Sequence, residues 1–318
     1  MGRIGRNTFG VLLISLLLLL TACSQSASLN ETTSQRESSD QIKVLTTIAQ
    51  IGEPLSVIAG DRMQVESLMG PSVDPHAYQA TQSDIAKMEE ADIIFYNGLD
   101  LEINMTEIFE NISESKPVLA IGEEVSEGSI LKDENGAIDP HIWFDIELWK
   151  EALNAAVEEL KNYSPEDAEF FEKNKQAYFE ELDELKEEAK KLGEIPDEHK
   201  YLVTAHDAFQ YFGNMHNLEV IGLQGISTED EIGVSDINET IDVIKEYGVP
   251  AIFIESSVNP DSINAVLEGA ANEGIEVSLG GELYSDAMGE PGTEEGTYIG
   301  MYRHNVNTIY EALTGGDN

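Results

Sequence analysis

From Gln41 onward, short apolar runs alternate with longer amphipathic stretches. Ile42–Thr46, Val65–Leu68, Asp92–Tyr96 and Val118–Ile121 have the length and composition of buried strands, with helical patterns between them at Ile48–Ala59 and Ser83–Glu90. The alternation returns later. Tyr201–Thr204, Leu218–Ile221, Ala251–Glu255 and Glu276–Ser278 are strand-like, and Asp236–Tyr247 and Asp261–Glu273 are helix-like. Strands separated by helices predict α/β units with parallel sheets, whose ligands sit beyond the carboxyl ends of the strands.

A different segment lies between the two sets. Ser164-Pro165-Glu166-Asp167 offers an N-cap serine, proline at the first helical position and acids in the first turn. Phe171, Tyr178, Leu182, Leu185, Ala189 and Leu192 then follow along one helical face until Gly193 and Pro196. About 28 residues at roughly 1.5 Å each give a helix on the order of 42 Å long. Its other face is rich in Glu and Lys and reads as solvated. The pattern predicts two α/β lobes, 41–163 and 194–318, joined by one rigid linking helix over 164–193.

Composition narrows the classes. The 318 residues hold 61 acids against 18 Lys and Arg, a formal charge of −43, and residues 201–318 carry 21 acids against only Lys245 and Arg303. Nucleic acid is a poor partner for such a surface. A hydrophobic content of 41% argues for a folded chain. The single cysteine, Cys23, excludes disulfide scaffolds, thiolate zinc sites and iron–sulfur clusters within the chain.

The N-terminus accounts for that thiol. Arg3 and Arg6 precede an apolar run from Phe9 to Leu20, too short to span a bilayer and laid out like a secretory signal. The run ends Leu20-Thr21-Ala22-Cys23, which resembles a bacterial lipobox. Residues 1–22 are therefore expected to be a lipoprotein signal peptide and Cys23 the lipid anchor. Residues 23–40, rich in Ser, Thr, Gln and Glu, read as a flexible tether. Cleavage would remove two positive charges and leave 61 acids against 16 bases, or −45. An acidic surface of this kind fits an extracellular protein in salty or alkaline surroundings.

Six histidines occur, at 76, 141, 199, 206, 216 and 304. Asp74-Pro75-His76 and Asp139-Pro140-His141 repeat one tripeptide, in which proline stiffens the approach and the acid is placed to orient the second ring nitrogen. His206 follows the strand Tyr201–Thr204, and Asp286 follows strand Glu276–Ser278 and an expected turn at Gly280-Gly281. Facing lobes would bring three imidazoles and one carboxylate into the cleft, two candidates from each lobe. His199, His216 and His304 lack this placement and read as non-ligands.

The chain resembles the cluster A-I metal-binding lipoproteins, the extracellular receptors of manganese and zinc ABC transporters. The resemblance rests on Gly70-Pro71 with Asp74-Pro75-His76-Ala77-Tyr78, Asp139 through Asp145, His206 through Phe212, Gly225-Ile226-Ser227-Thr228, Ile254-Glu255-Ser256-Ser257 and Tyr284 through Gly289. It implies two lobes bridged by a long helix and a metal site of His76, His141, His206 and Asp286. It also implies a monomer anchored on the outer face of a bacterial membrane, with a permease and a cytoplasmic ATPase as partners. His206 stands where several manganese receptors have glutamate, which resembles the TroA-like branch. Zinc-specific relatives usually carry a His-rich loop before the second histidine; Gly122 to Asp139 here holds acids but no histidine.

Three imidazoles suit zinc, and the intrinsic affinity order places zinc above manganese. A bidentate carboxylate would add hard oxygen character that suits manganese, and Mn2+ is favoured over Zn2+ as the cargo. The rival classes are a zinc receptor, a surface adhesin and a metallohydrolase. The last would need three protein ligands, an open water position and a base. Glu255 and Asp207 are the available bases, but no zinc-protease signature or serine-nucleophile elbow accompanies them.

Overall fold

The structure, a computed structural model, describes residues 41–229 and 231–315. The expected signal peptide, the Cys23 anchor and the tether lie outside the described residues. Two four-stranded parallel sheets organise the rest. The first contains β1 (Ile42–Thr46), β2 (Met63–Ser67), β3 (Ile93–Tyr96) and β4 (Val118–Ala120) in the order β2-β1-β3-β4. Helices α1 (Ala49–Ala59), α2 (Gln82–Glu90) and α3 (Thr106–Ser113) make its crossovers. After α4 (Ile146–Tyr163) and α5 (Ala168–Ala189) comes the second sheet. It contains β5 (Tyr201–His206), β6 (Glu219–Gln224), β7 (Ala251–Glu255) and β8 (Ser278–Leu283), ordered β6-β5-β7-β8. Helices α6 (Gln210–His216), α7 (Val234–Tyr247), α8 (Asp261–Asn272) and α9 (Tyr298–Thr314) complete it. The strand order reverses between β1 and β3 in one sheet and between β5 and β7 in the other, the place where open α/β sheets present ligands.

The linking helix α5 is regular over 22 residues, with 3-10 turns at Pro165–Asp167 and Lys190–Glu194. Its α-helical part is therefore about 33 Å long, shorter than the expected span. The Ser164 hydroxyl donates to the Asp167 carboxylate (2.8 Å) instead of capping a backbone N–H. The helix buries Phe171, Tyr178, Leu182, Leu185 and Ala189. It packs on α1 and α4 of the first lobe and on α9 of the second.

One strand differs in kind from expectation. Gly280-Gly281 is not a turn but lies inside β8, where pairing with β7 slips between Ile252 and Phe253. Gly281 takes φ 133°, and a Cβ on Gly280 would meet the Phe253 ring at 2.5 Å. Two adjacent glycines read as a turn from composition alone, but here they form a bulge under an aromatic ring.

Alternation along β5 sends Val203 and Ala205 into a small core with Ile241, Ile244 and Ile263, and Leu202 into the main core. That main core runs without a break from the first sheet through α4 and α5 to α9. Aromatic rings bridge the lobes: Phe144 stacks on Phe209 at 4.5 Å between centroids, and Trp149 on Tyr298 at 6.1 Å. Tyr298 and Tyr302 also donate hydroxyl hydrogen bonds back to the carbonyls of Trp143 and Phe144. An interface this apolar opposes free movement of one lobe against the other.

Candidate metal centre

Each donor reaches the cleft by a different route. His76 sits in the irregular loop between β2 and α2. Its backbone N–H is accepted by Asp74 Oδ1 at 2.9 Å, and its carbonyl accepts Asn104 Nδ2 at 2.9 Å. His141 lies just before the 3-10 turn Ile142–Phe144 that leads into α4, not at a strand end. His206 is the last residue of β5. Asp286 follows the bulged strand β8, in a loop whose Tyr284 is held at both its N–H and its carbonyl by the Asn305 amide.

These four side chains converge. All are buried, and one donor atom from each lies within 4.8 Å of the others. His76 Nε2 is 3.3 Å from His141 Nε2. Asp286 Oδ1 is 3.2 Å from His141 Nε2, and Oδ2 is 3.2 Å from His206 Nε2 and 3.9 Å from His76 Nε2. A tetrahedral shell with bonds of about 2.05 Å spaces its donors by about 3.3 Å. The spacing fits a first-row divalent ion. Neither oxygen of Asp286 makes a well-directed hydrogen bond; they face imidazole nitrogens instead.

The imidazoles are oriented from behind. Asp139 Oδ1 meets both the backbone N–H of His141 (3.0 Å) and its ring Nδ1 (2.8 Å). Glu255, on the strand beside β5, approaches His206 at the same two places, accepting its backbone N–H at 2.8 Å and placing its other oxygen 2.6 Å from Nδ1 in a close contact without hydrogen-bond alignment. Both grips leave Nε2 for the cleft, the arrangement that fixes a metal-binding tautomer. The two Asp-Pro-His repeats are not equivalent. Asp74 holds only the backbone of His76, and its second oxygen accepts the Thr228 hydroxyl from the opposite lobe.

The electrostatics follow from these contacts. Burial works against charge on His141, but Asp139 and Asp286 outweigh it and hold the imidazole up at about 9. Burial likewise opposes charge on His206, yet Glu255 and Asp286 raise it well above the usual range. The two cations in turn hold the buried Asp286 carboxyl far below the carboxylate range. His76, with no carboxylate behind its ring, is pushed by burial down to about 3. The centre thus favours positive charge beside Asp286. Protons on the imidazoles and a divalent ion compete for that place, since ligation needs neutral rings. Asp139, Glu255 and Asp286 bring three buried carboxyl groups to the centre. Glu255 is the acid here that the sequence did not place beside an imidazole.

The remaining histidines lie elsewhere. His199 bonds the Leu313 carbonyl, His216 the Tyr302 hydroxyl and His304 the Glu282 carbonyl. Asp207, a candidate base from the sequence, accepts Gln210 Nε2 and lines a separate crevice with Gly222 and Glu231. Glu255, the other candidate base, is committed to His206. It stands 49 residues from its partner, so only the parallel pairing of β5 with β7 brings the two together.

Residues 44–312 match the family described as zinc-uptake complex component A, periplasmic. The manganese-binding lipoprotein MntA of Bacillus subtilis (strain 168) is 45% identical over 280 residues, covering 87% of this chain and 92% of that protein. The manganese ABC transporter substrate-binding lipoprotein PsaA of Streptococcus mitis is 31% identical over 318 residues, covering 96% and 98%. The solved structure of the periplasmic zinc-binding protein TroA from Treponema pallidum superimposes with a TM-score of 0.84 at 42% identity, covering 86% of this chain and 99% of TroA. With fold and sequence agreeing over most of its length, this chain belongs to the family of periplasmic zinc-uptake complex component A proteins.

Proposed function

We propose that the protein is the extracellular substrate-binding lipoprotein of an ABC transporter, capturing one divalent metal ion, manganese in preference to zinc, for import. His76, His141, His206 and Asp286 hold the ion between the lobes. One observation carries the reading: a nitrogen from each of three imidazoles and an oxygen of a single buried carboxylate lie within 4.8 Å of one another. The protein then docks on a membrane permease, and a cytoplasmic ATPase drives the ion inward. Residues 1–22 act as signal peptide, Cys23 as lipid anchor and 23–40 as tether. The lobes 41–163 and 194–318 are joined by 164–193, and the chain works as a monomer. The reading is of a receptor and not an enzyme, because no zinc-protease signature accompanies the site and the two candidate bases are engaged elsewhere, Glu255 with His206 and Asp207 with Gln210.

Manganese is favoured by the carboxylate. Asp286 Oδ1 faces His141 while Oδ2 faces His206, so both oxygens are placed to ligate, raising the coordination number with hard donors. Zinc is the second reading. It is supported by the near-tetrahedral 3.3 Å spacing of His76 and His141 and by the likeness to zinc-binding TroA. The test is delivery: chelator-treated protein is given equal, limiting manganese and zinc together with its transporter. Manganese import supports the proposal, and import of zinc alone contradicts it.

A further inference from the structure

The Asp286 loop belongs by sequence to the second lobe, yet the first lobe also holds it. The carbonyl of Ser285 accepts two hydrogen bonds across the lobe boundary, from Gln50 Nε2 at 3.1 Å and Trp143 Nε1 at 3.2 Å. All three residues are fully buried. Gln50 lies in the first turn of α1, and Trp143 is two residues after His141, with ring centroids 5.2 Å apart. One turn further along α1, Glu53 accepts the backbone N–H of Tyr298 at 3.1 Å, so a single edge of this helix braces the second lobe twice.

We propose that Gln50 and Trp143 are positioning residues for metal capture: through the Ser285 carbonyl they set the position of the Asp286 carboxylate against His141. The inference rests on the metal site proposed above. Its physical basis is that the peptide between Ser285 and Asp286 is rigid, so fixing the carbonyl fixes the plane from which the Asp286 side chain departs. Two donors on one carbonyl, from two separate elements, constrain that plane more tightly than one. Neither donor belongs to the four proposed ligands; Gln50 acts through Asp286 alone, whereas Trp143 also packs against the His141 ring. Groups behind a metal ligand typically contribute a factor of about 10–100 in affinity.

The test is a double-mutant cycle on the full chain, titrated calorimetrically with manganese alone. Gln50→Met keeps the volume and removes the donor. It is expected to weaken binding about tenfold or more while the melting temperature of the metal-free protein changes little. In an Asp286→Ala background the same change is expected to cost nothing further. Trp143→Phe is the second variant, should Gln50→Met fold poorly, and is expected to behave alike. Wild-type affinity in a folded Gln50→Met protein overturns the proposal. So does an equal loss in both backgrounds, which would mark a general structural effect. If Asp286→Ala itself binds manganese as tightly as wild type, the metal-site reading falls as well.

Discussion

Glu255 holds His206 at two points, with one carboxylate oxygen on its backbone N–H and the other on its ring Nδ1. The grip fixes both where the imidazole leaves the strand and which nitrogen faces the cleft. Glu255→Ala should therefore lower manganese affinity about 10- to 100-fold without removing a ligand. Glu255→Gln, which retains one oxygen for the backbone N–H, should fall between. Calorimetric affinities of the two variants check this order; equal affinities for wild type and Glu255→Ala would remove Glu255 from the site.

Gly222 pairs with Thr204 on the adjacent strand, two residues before His206. A Cβ there would lie 2.6 Å from the backbone nitrogen of Asp207 and 2.7 Å from its Cα. These are main-chain atoms, so relief requires moving the turn that leaves His206. Gly222→Ala is expected to cost about 1–3 kcal/mol of stability and to weaken metal binding. Urea unfolding and calorimetry on the same variant measure both effects.

The alternating strands and the long amphipathic segment were legible because buried parallel strands and a one-sided helix leave strong periodic patterns. The four candidate donors that converge in the structure were each singled out in the sequence, two by a repeated tripeptide and the others by strand-end placement and family resemblance. The missing parts depend on contacts distant in sequence. Asp139 stands two residues from His141 and could be read as its orienting acid, whereas nothing local links Glu255 to His206 or Gln50 to Ser285. The equal reading of the two Asp-Pro-His repeats failed because Asp74 turns its second oxygen to Thr228 across the cleft. The Gly280-Gly281 bulge was hidden for a similar reason, since the Phe253 ring that requires it lies on the neighbouring strand.

His216 supplies a pH prediction away from the metal. Burial lowers its pKa from 6.5 to about 4, and Nε2 contacts the Tyr302 hydroxyl at 2.8 Å. As pH falls below 6.5 the unfolded chain takes up this proton and the folded chain does not. The contribution is complete above 6.5 and is lost as pH falls toward 4, a loss on the order of 3 kcal/mol. His216→Gln keeps a hydrogen-bonding group but cannot titrate. Denaturant unfolding of metal-free wild type and variant between pH 7 and pH 4 should show the wild type losing more; parallel curves would refute the assignment.

The shared aromatic core predicts limited lobe movement. Phe144 would have to leave Phe209, Phe212 and Tyr302 for a wide hinge opening, exposing large apolar faces to water. Small-angle scattering should give nearly the same radius of gyration with and without manganese. A large metal-dependent compaction would show that the interface yields.

The central claim is that one divalent ion is held by His76, His141, His206 and Asp286. Calorimetric titration of metal-free protein with manganese, followed by competition with zinc, addresses it most directly. The account predicts one ion per chain, mutual exclusion of the two metals, and a severe loss of affinity in Asp286→Ala. Saturation by neither metal, or undiminished binding in Asp286→Ala, would contradict it.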